Sequence, residues 1–194
     1  MLSLLPTAVL AVETSGQEDK ATTELPNLRS PATSGVSGGI AWSVEDGTLT
    51  ITPTKNVESG FAEGRMAENY GTLTNTDAAY GKVLTDAGYL ADGNGRFHYP
   101  NSNTWVSDSP WKFLGDRITK IVIADGVTNI GARAFRLPNV EEVSIPATVN
   151  SIGMLAFEAC EKLTTVKWTG DWTKHADMAF NGFSRCTSLG KGYE

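Results

Sequence analysis

The sequence predicts a mainly β chain with short helical turns: a short solenoid of stacked repeats, preceded by a β-hairpin cap and an irregular insert. Three observations carry this. An apolar pattern of strand period recurs three times between residues 118 and 168. Residues 40–51 alternate apolar and polar about a Gly-containing turn. Glycine is abundant, 20 of 194 residues, which suits a turn-rich β chain better than a helical bundle.

Residues 1–11 are apolar and close on Val9, Leu10 and Ala11, a signal-peptidase pattern with cleavage after Ala11. The run is too short to span a bilayer. It lacks a positive n-region, so it reads as a signal-peptide remnant whose start lies upstream; the alternatives are a buried strand or a disordered apolar tail. Residues 12–39 are rich in Thr, Ser, Gly, Pro and Glu without hydrophobic period, and are expected to be a flexible linker.

Residues 40–54 form the expected capping hairpin. Ile40, Trp42 and Val44 alternate, Asp46 and Gly47 turn the chain, and Leu49 and Ile51 alternate again. Residues 55–108 break the plan: about fifty residues rich in Gly, Asn, Asp and Thr, too long for an ordinary loop. Short helices are expected at 62–70 and 80–90, and short strands at 97–99 and 104–106. Phe97, Tyr99 and Trp105 lie here. Exposed, they would suit a sugar or peptide surface; alternatively, the insert's aromatics pack against the hairpin and first repeat.

Residues 109–194 carry about three repeats. Ile118, Ile121 and Ile123 hold positions one, four and six of a strand motif. Val140, Val143 and Ile145 repeat it 22 residues later, and Leu163, Val166 and Trp168 again after 23 more. This is the L-x-x-L-x-L signature of a leucine-rich repeat. Twelve residues beyond each strand stand Phe135, Phe157 and Phe180, each preceded by alanine. The third repeat is degenerate: His175 stands where Ile130 and Ile152 stand in the others. Residues two apart on a strand share a face, so Ile121 and Ile123 point inward while Lys120 and Val122 point out. One unit cannot bury its apolar face alone, so stacked units share a core. Trp111 and Phe113 are expected to cover the first layer.

Gly126, Val127, Ile130, Gly131, Ala134 and Phe135, with their counterparts Val149, Ile152, Gly153, Ala156 and Phe157, make residues 111–189 closely resemble the BspA-type leucine-rich repeat family. Cys160 and Leu163 also match that family's link between phenylalanine and next strand. The resemblance implies a bacterial surface or secreted protein, implicated in adhesion or without known activity, with no catalytic residues to carry over. The hairpin at 40–54 resembles one that often precedes such repeats. Cys186 and Leu189 repeat the spacing of Cys160 and Leu163, but a further strand would place Gly192 and Glu194 inward, where neither fills a core. Either the chain is a fragment of a longer protein, or residues 183–189 form an improvised cap.

Other chemical signals are weak. The G-x-S-x-G at 35–39 lies in a Ser/Gly stretch, without the strand and helix of a nucleophile elbow. Residues 92–96 resemble the start of a calcium loop, but Arg96 takes a ligand position and Asn103 replaces the bidentate Glu. His98 and His175 have no metal-like partners. No metal or cofactor is expected. Cys160 and Cys186 are too few for a disulfide scaffold; they could pair after export, but their place in the repeat suggests buried thiols. The net charge is −6 without any basic run, so nucleic acid and anionic membranes are not expected partners, nor is membrane insertion after signal removal.

The expected function is a secreted or cell-surface module for binding or adhesion, non-catalytic, with a host or neighbouring-cell protein or glycan as partner. The outward strand positions Lys120, Val122, Glu142, Ser144, Thr165 and Lys167 form the candidate face, with Phe97, Tyr99 and Trp105 of the insert. Three rungs at about 4.8 Å span only about 10 Å, too narrow for a specific protein interface. The alternative is a structural spacer in a larger surface protein; an enzyme with its site in the insert ranks last.

Overall fold

The repeat period becomes a parallel sheet, because each L-x-x-L-x-L segment lands beside its predecessor with the same residues facing in. The computed structural model describes residues 31–74, 84–171 and 181–190. The expected leader at 1–11 and most of the linker lie outside the described residues, as do His175 and Phe180. The main strands are β1 (Ser34–Ser37), β2 (Ile40–Glu45), β3 (Thr48–Pro53), β6 (Lys120–Ile123), β8 (Glu142–Ile145) and β10 (Thr165–Trp168). Shorter ones are β4 (Leu90–Ala91), β5 (Phe97–His98), β7 (Asn129–Ile130) and β9 (Ser151–Ile152). No helix of the described residues is long and apolar enough to cross a membrane.

Strands β6, β8 and β10 pair in parallel, Ile121 beside Val143 beside Val166. Ile121, Ile123, Val143 and Ile145 are buried, as the period-2 reading requires. The hairpin continues the same sheet. β3 pairs in parallel with β6, Leu49 beside Ile121 and Ile51 beside Ile123. β2 pairs with β3 in antiparallel fashion through a two-residue turn, Asp46 at φ 45° and Gly47 at φ 77°. Positive φ at both turn residues matches the twist of the flanking strands. The sheet thus has six strands in the order β1-β2-β3-β6-β8-β10.

β1 corrects the expected linker, whose last residues are strand. Its register sets Gly35 opposite Trp42, where a Cβ would meet the indole Nε1 at 3.0 Å. The small residues that resemble a linker are those that can lie over a tryptophan. They also take the G-x-S-x-G stretch into an edge strand and a turn.

The insert is less irregular than expected. Residues 62–70 are not helical: a turn at 62–65 leads into irregular backbone that lies as a rung beside residues 128–132. Thr128 N–H donates to Gly64 O at 2.9 Å and Ala132 N–H to Glu68 O at 2.8 Å. Asn129 clasps Met66, accepting its N–H at Oδ1 and donating from Nδ2 to its carbonyl. β7 and β9 pair in parallel as the next rungs. Met66, Tyr70, Leu73, Tyr89, Phe97 and Tyr99 all enter the core. Of the helix expected at 80–90, residues 84–86 are helical and 75–83 lie outside the described residues.

A column of aromatic rings runs through the layers. Trp111 lies edge-on to Trp42 at 6.0 Å and stacks on Phe135 at 5.3 Å. Phe135 stacks on Phe157 at 5.1 Å, and Phe157 on Phe183 at 4.6 Å. The ring over Phe157 is therefore Phe183, three residues beyond the expected Phe180. The third repeat is longer: 15 residues separate Trp168 from Phe183, against 12 from Ile123 to Phe135 and from Ile145 to Phe157. Trp111 also donates from Nε1 to Ala134 O at 2.9 Å, so the first layer's indole is both stacked and hydrogen-bonded. Phe113, expected beside it, sits at the rim of a short 3₁₀ helix (Lys112–Arg117), against Tyr89 at 5.8 Å.

Candidate functional site

The face of the main sheet that turns away from the core is a regular surface built on six hydrogen-bonded strands. Because the sheet has six strands, it is about two and a half times as wide as the repeats alone provide. Five spacings of about 4.8 Å make it about 24 Å across, and four-residue strands make it about 13 Å deep. Every outward position from Ser34 to Lys167 stays partly or fully exposed.

The predicted outward residues lie on it as the period requires. Lys120, Glu142 and Thr165 form one row, continued on β3 by Thr48. Val122, Ser144 and Lys167 form the next, continued by Thr50 and Ser43. The two lysines are not independent charges. Glu142 pairs with Lys120 Nζ at 3.0 Å through one carboxylate oxygen and with Lys167 Nζ at 2.9 Å through the other. Hydrogen bonds from Lys167 and Lys120 hold the Glu142 carboxyl below its ordinary range. The surface is thus a hydroxyl-rich field of short side chains with a three-charge ladder, net positive by one, at its β6–β10 side. The β1, β2 and β3 contributions were absent from the sequence reading. Their signal was available, since Thr48, Thr50 and Thr52 alternate with Leu49 and Ile51.

The aromatic candidates of the insert do not join this face. Phe97 is 1% exposed and Tyr99 is 0% exposed. Tyr99 donates its hydroxyl to Lys112 O at 3.0 Å, and burial pushes its phenol well above the ordinary range. Both are core residues and present nothing to a ligand. Trp105 is half-buried, with the Arg96 guanidinium 4.0 Å from its ring centre and the His98 ring at 3.6 Å. Asp92 holds Arg96 in turn through Nε at 3.0 Å and Nη2 at 2.8 Å. The calcium-like stretch is a turn around that carboxylate, which also accepts the N–H groups of Asn94 and Arg96.

A cleft of about 480 Å³ opens where the insert meets the repeat rims, between Pro100, Asn101 and Ser102 on one side and Asp116, Asn139 and Glu161 on the other. Glu161 accepts Ser102 Oγ at 3.0 Å and Thr104 Oγ1 at 3.3 Å, tying insert to repeats. Burial raises the Asp116 carboxyl above its ordinary range. No aromatic ring lines this cleft.

One internal contact escaped the sequence reading. Arg136 and Glu158, one repeat apart and each following the aromatic column, form a buried ion pair. Arg136 also donates to Thr72 Oγ1 at 2.9 Å, so the pair joins insert and repeats.

Residues 110–190 match the family model described as BspA type leucine-rich repeat region (6 copies). No curated protein matches the chain in sequence. Among solved structures, one similar chain is a leucine-rich repeat protein from Eubacterium ventriosum ATCC 27560, 24% identical over 71% of this chain and 26% of that one, with a TM-score of 0.39. Another, from Bacteroides capillosus ATCC 29799, is 21% identical over 71% of this chain and 66% of that one, with a TM-score of 0.21. The pneumococcal vaccine antigen PcpA is 18% identical over 70% of this chain and 38% of that one, with a TM-score of 0.25. The match thus spans about a quarter of the first of these chains.

Proposed function

We propose that this chain, whose residues 110–190 match the BspA type leucine-rich repeat model, is a non-catalytic binding module of a secreted or cell-surface bacterial protein. The observation that carries the reading is the outward face of the six-stranded sheet, wide, regular and left exposed. Its projected area, about 24 by 13 Å, is well below the roughly 800 Å² per partner of a stable protein interface. That size suits a short linear segment, an extended peptide of an adhesion partner or a few sugar rings, better than a folded domain. The Ser and Thr hydroxyls offer donors and acceptors to either.

The test compares the wild-type chain with a Thr50→Arg, Ser144→Arg double variant on a panel of immobilised glycans and extracellular-protein peptides. Both sites are outward on central strands, where substitution changes stability by about 0.5 kcal/mol or less. The proposal expects at least one probe to bind, and the variant to lose about tenfold or more, roughly 1.4 kcal/mol. Binding indifferent to the variant moves the site elsewhere. No binding across the panel favours the spacer.

A further inference from the structure

The two cysteines occupy the same place in successive rungs. Each stands three residues after a ring of the aromatic column, Cys160 after Phe157 and Cys186 after Phe183. Each backbone N–H closes a tight turn on that ring's carbonyl, at 3.2 Å for Cys160 and 3.3 Å for Cys186. Each thiol then donates one rung back, Cys160 Sγ to Phe135 O at 2.9 Å and Cys186 Sγ to Phe157 O at 3.1 Å. The Phe157 carbonyl is therefore shared: it accepts the N–H of Cys160 and the S–H of Cys186. That holds the Cys186 sulfur against Cys160. Ala159 N–H donates to Ser184 O at 2.9 Å, so the two backbones run as neighbouring rungs. Rungs lie about 4.8 Å apart, inside the roughly 4.4–6.8 Å Cα separation that a disulfide requires. Both thiols are free in this structure.

We propose that Cys160 and Cys186 are a disulfide site, at which oxidation clamps the rung of Phe183 onto the rung of Phe157. The environments of the thiols set the order of steps. Cys160 is fully buried, and burial pushes its thiol well above the ordinary range. Cys186 is half-buried, and contact with the Cys160 thiol draws it below that range, against the effect of its own burial. Cys186 is the reachable, more acidic thiol. Its thiolate attacks a small-molecule disulfide, here oxidised glutathione, and one glutathione leaves as thiol. The Cys160 sulfur then attacks Cys186 in the mixed disulfide, gives up its proton, and expels the second glutathione. Two protein thiols are oxidised by two electrons, and one glutathione disulfide is reduced to two thiols. An oxidising space outside the cell maintains the product. The link closes the longer third repeat.

The experiment incubates the purified chain with oxidised glutathione and digests it with trypsin without reduction. The expected product joins peptide 137–162 to peptide 186–191, lighter by two hydrogen atoms than the separate peptides together. Thermal unfolding of the oxidised chain is expected to rise by roughly 5 °C or more, reversed by a reducing dithiol. Cys186→Ser is expected to fold and to show no response to oxidant. A persisting glutathione adduct on Cys186, a disulfide-linked pair of chains, or two thiols still open to alkylation after denaturation would each overturn the proposal.

Discussion

Arg136 is 5% exposed, and its charge is tolerable there because Glu158 faces it one rung away. A buried pair adds little net stability, yet removing one partner strands the other's charge. Glu158→Leu alone is expected to cost roughly 3–5 kcal/mol, and the Arg136→Met, Glu158→Leu double variant much less. Urea unfolding of the two single variants and the double variant measures the coupling; additive costs would contradict it. The pair was legible in principle, since opposite charges stand 22 residues apart in repeat phase. Glu142 makes a different, exposed contribution. Its carboxyl is lower in the folded chain than in the unfolded one, so its stabilisation is present above the unfolded value and lost as pH falls through the folded one. Below about pH 4.3, the wild type is expected to lose melting temperature faster than Glu142→Gln at low salt. That difference should vanish near 1 M salt, where charges are screened within about 3 Å. Parallel melting curves at low salt would count against the ladder. Phe97 and Tyr99 show what residue type alone leaves open, since an aromatic side chain reads the same whether it meets a ligand or the core.

The strands β6, β8 and β10 were legible because each has its own period-2 pattern and the pattern repeats at a near-constant interval. The longer third turn was not read correctly, because the strand-to-phenylalanine count reaches Phe180, while Phe183 takes the stack. The Phe157 to Cys160 interval recurs as Phe183 to Cys186, and that spacing marked the true phase. The insert's rung left almost no trace in the sequence, because backbone bonds to Thr128 and Ala132 hold it, with no apolar repeat of its own. Its own glycine approaches closely too: Gly64 has φ +75° and a position where a Cβ would meet Gly126 O at 2.1 Å. Gly64→Ala is therefore expected to destabilise by roughly 2 kcal/mol or more, combining the left-handed penalty with displacement of the rung. Chemical denaturation measures this. A neutral substitution would mean that residues 64–70 are a loop lying beside the repeats.

On the scale of the whole molecule, hairpin, insert and repeats share one core, from Ile40 through Met66 and Trp111 to Leu163. The sequence separates them into a cap, an insertion and a solenoid because its patterns change at each boundary. The fold joins them because β3 has the same inward residues as a repeat strand and pairs as one. The outward face depends on that junction, since three of its six strands, β1, β2 and β3, precede the insert. Amide hydrogen exchange tests it most directly. The N–H groups of β3 and of Ala124, which donates to Ile51 O at 2.8 Å, are expected to exchange as slowly as those of β6 and β8, and to be released in the same global unfolding event. Exchange in β3 that is orders of magnitude faster than in β8, like that of a hairpin fraying alone, would contradict the six-stranded sheet and the binding face built on it.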